Sequence, residues 1–329
     1  MTRIASYIMA LVLALTSCAG KSQASSAAAA TDTPAERGAV SADSLMAYVA
    51  AQTAPGPRVP GTAAHAACVD YLTGKLRAYG ADTVAVLASE AVAWDGRRLP
   101  VRNIWARYGL DRPVRVLLLA HYDTRPWADR DADSDNHSKP IDGANDGASG
   151  VAAILEIARN IGADRPDVGV DILLTDVEDY GAPDGEPGGE DSWCLGAQAF
   201  ADALPYSAAA LPRYGILLDM VGGRGARFHR EYFSEQAAPA VNDRIWATAR
   251  RLGLQARFPD AQGGAITDDH LPLIRAGIPV ADIIENASAR TGSFPDTWHT
   301  MRDNISNIDP EAIRDAARVV LNVIYSEKP

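Results

Sequence analysis

Short apolar runs that empty into acidic residues or a histidine set the strongest limit on what this chain can fold into. Val114–Ala120 (VRVLLLA) is followed by His121 and Asp123. Val168–Thr175 is followed by Glu178 and Asp179, and Gly215–Met220 carries Asp219 near its end. Val280–Ile284 is a further run of strand length. Runs this short, apolar at nearly every position, read as strands buried on both faces, the habit of a parallel sheet. Helical periodicity marks Ser44–Ala51, His65–Tyr79 (stopped by Gly80), Val151–Ile161, Pro239–Leu252 and Pro310–Ser326. Strands alternating with helices predict an open three-layer α/β/α fold around a mostly parallel, mixed central sheet. No repeat and no break divides the chain after residue 44, so 44–329 reads as one domain. With 329 residues, 47% of them hydrophobic, a core of that size needs no disulfide staples. Open α/β sheets bind ligands outside the carboxyl ends of their strands. Several carboxylates and a histidine entering one such crevice suggest a metal.

The first residues belong to targeting rather than to the fold. Arg3 precedes a nearly continuous apolar stretch, Ile4–Leu15, too short to span a membrane comfortably. It ends Leu15-Thr16-Ser17-Cys18, which resembles a bacterial lipobox; an ordinary secretory signal containing a cysteine is the alternative. The expectation is a signal segment over 1–17, lipidation at Cys18, and an Ala/Ser/Thr-rich flexible tether over 18–43. Ala19, in place of Asp, points to the outer membrane. The expected location is thus the cell envelope, periplasmic or surface facing, with membrane contact through the lipid alone. In that oxidising compartment Cys68 and Cys194 are open to pairing or to burial as free thiols. The net charge of -11, with no Lys/Arg run, argues against nucleic acid as a partner.

Each polar motif has a bland counterpart when taken alone. His121-Tyr-Asp123 suits a metal ligand with an orienting carboxylate, or a strand end bonded to a loop. Gly143-Ala-Asn-Asp146-Gly-Ala-Ser-Gly150 surrounds one carboxylate with small residues, either for close approach of a ligand or as a helix entry with Asp146 as N-cap. Glu178-Asp179 repel unless a cation shares their site, and one can ligate while the other handles protons. Asp219 at a strand end and His270 within Asp268-Asp269-His270 have ordinary structural readings. His299 supplies the nitrogen that zinc takes alongside carboxylates, and Trp298 beside it can wall a pocket. Asp129–Asp135 alternates like a calcium loop but lacks its glycine and has Pro140 where the bidentate Glu belongs, which favours a solvated loop. The Gly/Pro/acid-rich segment 181–189 is a candidate pocket rim.

Their order is informative. HYD, GANDGASG, ED, LLDM, TDDHLPL and FPDTWHT, preceded by Arg58-Val-Pro-Gly61, resemble in sequence the M28 peptidase family, and within it the glutaminyl cyclase branch. The resemblance runs from Ser44 to Pro329. It implies a zinc exopeptidase-like fold and a metal held by Asp146, Asp179 and His299. Glu178 becomes the general acid/base, with Asp268 and Asp219 supporting the proton network and Trp298 and Phe294 bordering the substrate. The implied reaction cyclises an N-terminal Gln of a peptide or protein to pyroglutamate, releasing ammonia, on one Zn2+. The chain departs from animal cyclases in having Glu-Asp where they usually have Glu-Glu, and Thr267 where they often have Gln. The alternative is a two-zinc M28 aminopeptidase, whose second ion would use His121, Asp146 and Asp219, with Asp123 behind. A catalytically inactive peptide-binding lipoprotein is a lesser alternative.

Overall fold

The computed structural model describes residues 36–329. The expected signal segment, Cys18 and the tether up to residue 35 lie outside the described residues. Strands β1 (Thr83–Val92), β2 (Arg98–Tyr108), β3 (Arg115–His121), β4 (Gly169–Thr175), β5 (Gly215–Asp219) and β6 (Val280–Ile284) form one sheet in the order β1-β2-β4-β3-β5-β6. β4, β3, β5 and β6 run parallel, while β1 and β2 form an antiparallel pair that joins β4 antiparallel. The sheet is therefore mixed, as expected.

The absence of alternation in the central strands has a direct cause. Leu118, Ala120, Ile172, Leu174, Ile216 and Leu218 point into one core. It is closed by α1 (Ala42–Thr53), α2 (Ala63–Ala78), α3 (Ala148–Ala163), α6 (Pro239–Arg251) and α8 (Pro310–Ser326). Leu117, Leu119, Leu173 and Leu217 point the other way, against α4 (Leu195–Asp202) and α7 (His270–Arg275). A short helix, α5 (Tyr232–Ala237), leads into α6. Every residue of β3, β4, β5 and β6 is buried. The β1–β2 pair left no comparable signal, because β1 is an edge strand with mostly exposed side chains.

The ordered chain reaches further toward the N-terminus than the expected boundary at Ser44. The amides of Arg37, Ala39 and Ser41 donate to Asn322 Oδ1, Asn160 Oδ1 and Glu156 Oε1 at 3.0, 2.9 and 2.9 Å. These are backbone contacts, which composition does not reveal. Cys68 and Cys194 are buried free thiols, which closes the pairing option.

Register and close packing set the crevice. His121 pairs with Thr175 and Asp219 with Ile284, so the ends of the strands lie level. α3 enters directly over them, and glycine makes that possible. A β-carbon on Gly150 would lie 1.9 Å from the carbonyl oxygen of Leu218, and one on Gly147 2.3 Å from that of His121. Gly74, in α2, would meet nothing within 4 Å. Gly150→Ala is therefore expected to cost about 3 kcal/mol or more through overpacking against backbone. Gly74→Ala should stabilise by about 0.5–1 kcal/mol through helix propensity. Urea midpoints of the two variants against the parent measure both, and equal effects would contradict this account of the glycines.

Candidate active site

The sequence-selected polar residues converge on a cavity of ≈ 470 Å³ at the carboxyl ends of the strands. Asp146, Glu178, Asp179, Asp219, Asp268, Phe294, Trp298 and His299 all line it. So does the rim segment 182–186 with Gly189 and Glu190. One face of the cavity is apolar: Phe294 and Trp298 pack ring to ring at 4.6 Å and join Met220, Ile266 and Ile284.

At one wall, single ligand atoms of Asp146, Asp179 and His299 lie within 4.8 Å of one another, and all three residues are buried. His299 Nε2 stands 3.1 Å from Asp179 Oδ1 and 3.5 Å from Asp146 Oδ2. Neither oxygen of Asp179 accepts a hydrogen bond within the protein, although the residue is 1% exposed. Burial, then the neighbouring Asp146, pushes its carboxyl up to about 6. Buried carboxylate oxygens without donors, set beside an imidazole nitrogen and a second carboxylate, form the mixed O/N donor set that zinc takes. The residues present therefore fit a zinc ion.

The candidate ligand loops are clamped by groups whose clamping role the sequence motifs did not reveal. Asp303 Oδ1 and Oδ2 accept the amides of Asn145 and Asp146 at 2.7 and 3.1 Å. Asp123 does the same for Glu178 and Asp179 at 3.1 and 3.2 Å. Arg58, fully buried, donates to the carbonyls of Tyr122, Asp142 and Gly143. Arg125 donates to the carbonyls of Asp179 and Gly181 and to both oxygens of Asp129. Asp129 in turn lies 3.5 Å from His299 Nδ1. Trp298 and Trp193 stack on the His299 ring at 3.8 and 5.9 Å. Trp193 could not be found from sequence, because it reaches the site through folding alone.

Several alternatives are decided by these contacts. Asp146 does not cap α3: the N-cap is Gly147, without a side-chain bond. His270 does not serve its own loop. It is buried at the head of α7, 3.3 Å from Glu231 and 3.9 Å from Asp282. In the acidic loop, Asp131 and Asp133 accept the loop's own amides and Asp129 pairs with Arg125. No carboxylate of 129–135 enters a possible metal cluster among the described residues.

A second group lies beside the first. His121 Nε2 hydrogen-bonds Asp219 Oδ1 at 3.1 Å and stands 2.9 Å from Asp146 Oδ1. His121, Asp146 and Asp219 also meet the 4.8 Å condition. Asp123 is not among these three; its Oδ1 lies 3.5 Å from His121 Nδ1, behind the ring. Glu178 and Asp268 stand further in. Burial raises both carboxyls well above the usual range, and nearby carboxylates add to the effect: Asp268 and Asp179 for Glu178, Asp219 and Asp269 for Asp268. Asp268 Oδ1 accepts the amide of Asp269 at 2.6 Å, while its Oδ2 is buried without a partner.

Comparison with known proteins agrees with this geometry. The structure is similar to glutaminyl cyclase from Bacteroides thetaiotaomicron bound to N-acetylhistamine, with a TM-score of 0.85 and 47% identity over 88% of this chain and 99% of that one. A Zn-dependent exopeptidase from Parabacteroides distasonis gives 0.85 and 46%, over the same shares of the two chains. Among sequence relatives, bovine glutaminyl-peptide cyclotransferase is 28% identical over 242 residues, 64% of this chain. That match spans 62% of the bovine protein, less than two thirds of its length. The model of "Peptidase family M28" matches residues 103–324, which run from β2 to α8 and include every residue that lines the cavity. With the strand-end carboxylates and His299 inside that span, the chain belongs to peptidase family M28.

Proposed function

We propose that this enzyme is a zinc-dependent glutaminyl-peptide cyclotransferase, acting on peptides or proteins with N-terminal Gln. The observation that carries this reading is the shared pocket. Glu178 and Asp268 line the same cavity as the Asp146–Asp179–His299 group and the aromatic pair Phe294 and Trp298. The 47% identity to a bacterial glutaminyl cyclase over 99% of that chain supports it.

Asp146, Asp179 and His299 would hold the ion. Bound there, zinc supplies a Lewis acid for the glutamine side-chain carbonyl. Everything else falls to the chain. Phe294 and Trp298 give the aliphatic part of the glutamine an apolar surface, and a buried pocket holds its α-amine near the γ-carbonyl, so that proximity replaces an external nucleophile. Glu178 takes a proton from the amine as the new C–N bond forms. It returns that proton to the departing amide nitrogen as the old C–N bond breaks, giving pyroglutamyl peptide and ammonia. Asp268 and Asp219, buried next to this path, hold protons and charge in place.

The two-zinc aminopeptidase is favoured by one specific observation, the proximity of His121, Asp146 and Asp219. Against it, His121 Nε2 lies within hydrogen-bond distance of both carboxylates, so the protein itself offsets part of their charge. For location, Arg3, the apolar stretch 4–15 and the segment ending at Cys18 support a lipid-anchored envelope protein, tethered at the outer membrane.

Mass spectrometry of a Gln-initiated peptide after incubation should show loss of ammonia, with no release of leucine from a leucine anilide. The opposite pattern identifies the aminopeptidase, and neither product the inactive scaffold. Glu178→Gln should lower turnover by about 100-fold or more while zinc content stays at the parent level; full activity in that variant removes Glu178 from the role.

Zinc should also act on stability, because it separates buried carboxylates that otherwise repel. Chelation is expected to lower Tm and one equivalent of zinc to restore it. Asp179→Asn should hold less zinc by elemental analysis. Two equivalents per chain would favour the aminopeptidase.

A further inference from the structure

The residue behind Glu178 is a cysteine, and its thiol is the only side-chain donor that the described structure gives to that carboxylate. Cys194 Sγ lies 3.3 Å from Glu178 Oε1. The residue is 2% exposed and sits at the start of α4, packed in the core that contains Leu117, Leu119, Leu173 and Phe200. Its main chain is bonded to the same segment. The amide of Cys194 donates to the carbonyl of Glu178, and that of Leu195 to Val177, both at 3.0 Å. Gly196 allows the two segments to lie this close, since a β-carbon there would be 2.0 Å from the carbonyl oxygen of Asp176.

The backbone at this point is left-handed, with φ 59° and ψ 32°. A side chain there carries a strain that glycine would avoid. The position therefore bears a thiol at a conformational cost, and the thiol is aimed at a buried carboxylate. A thiol is a weak donor, yet a bond to a carboxyl oxygen in a buried site gains from the low dielectric. Only Oε1 is engaged in this way. That leaves Oε2 for the cavity that Glu178 lines.

We propose that Cys194 is a positioning residue for the reaction: its S–H holds Glu178 Oε1 from the core side and fixes the direction of Oε2 toward the substrate. The proposal rests on Glu178 as the proton-handling group described above. It takes no part in bond making, and the thiol keeps its proton throughout. Alanine and serine both keep the β-carbon, so Cys194→Ala and Cys194→Ser impose the same left-handed strain; serine keeps a donor and a γ-atom, and alanine loses both.

The test is steady-state kinetics of the full-length zinc-loaded enzyme on a Gln-initiated peptide. Cys194→Ala should lower kcat about five- to tenfold with KM unchanged, and Cys194→Ser should stay within about threefold of the parent. A parent-like kcat in Cys194→Ala, or an equal loss in both variants, overturns the proposal, the second outcome reducing Cys194 to packing. A second measurement needs no variant of Cys194 and no turnover. The infrared difference spectrum between the parent and Glu178→Ala should show one S–H stretch moving from a hydrogen-bonded to a free position. An unchanged S–H region overturns the proposal even if the parent cyclises glutamine. A shift in a parent that does not cyclise glutamine upholds the bond and places the failure in the assigned reaction.

Discussion

Buried negative charge is the constraint to which the rest of this structure answers. Asp146, Glu178, Asp179, Asp219, Asp268 and Asp269 are all buried at the carboxyl ends of neighbouring strands. An ionised carboxylate removed from water is costly unless it is paired, and several together repel as well. Burial consequently dominates the upward pull on Asp179, Asp219, Asp268 and Asp269. Among them Asp146 alone is held below its ordinary value: burial raises it, but His121, His299 and Arg125 together outweigh burial. A cation at Asp146, Asp179 and His299 resolves the repulsion where donors are missing.

The scaffold handles the same problem with a repeated device. One carboxylate accepts two successive amides on each ligand loop: Asp303 for Asn145 and Asp146, Asp123 for Glu178 and Asp179. Each loop also has a buried guanidinium on its carbonyls, Arg58 for the first and Arg125 for the second. Backbone polar groups that would otherwise be stranded are thereby satisfied, and the ligand side chains are held by rigid main chain. Glycines at 147 and 150 let α3 close over the strand ends.

What could be read from the sequence follows from these same forces. Strands buried on both faces leave unbroken apolar runs, so β3, β4, β5 and β6 were legible; the edge strand β1, mostly exposed, was not. Glu178, Asp179 and Asp219 stood out by their place after apolar runs, but the candidate ligands Asp146, Asp179 and His299 could be named only through the resemblance, because Asp146 and His299 lie in loops. The clamps could not. Arg58 is 64 to 85 positions from the carbonyls it holds, and Asp303 is 158 and 157 from its amides. No local pattern encodes such pairings. Asp123 was visible as a partner of His121 but not as the acceptor for the acidic pair, because that role depends on the register of β3 against β4. The contacts made before Ser44 could not be read for a related reason: Arg37, Ala39 and Ser41 are held through backbone amides.

One ion or two is at bottom a question about which nucleophile the site must make. A peptidase has to deliver water to a carbonyl, and a paired metal site serves that purpose. A cyclase has its nucleophile in the substrate, so water in the pocket would only compete. On the proposed cyclase reading, the cavity follows the second pattern. Phe294, Trp298, Met220, Ile266 and Ile284 make an apolar wall, and Trp193 covers one face of His299. On the other side His121 spans Asp146 and Asp219, with Asp123 behind its second nitrogen. An imidazole so placed offsets part of the charge of those carboxylates. On the proposed reading the second carboxylate group would support the first, and the acid/base work would be left to Glu178.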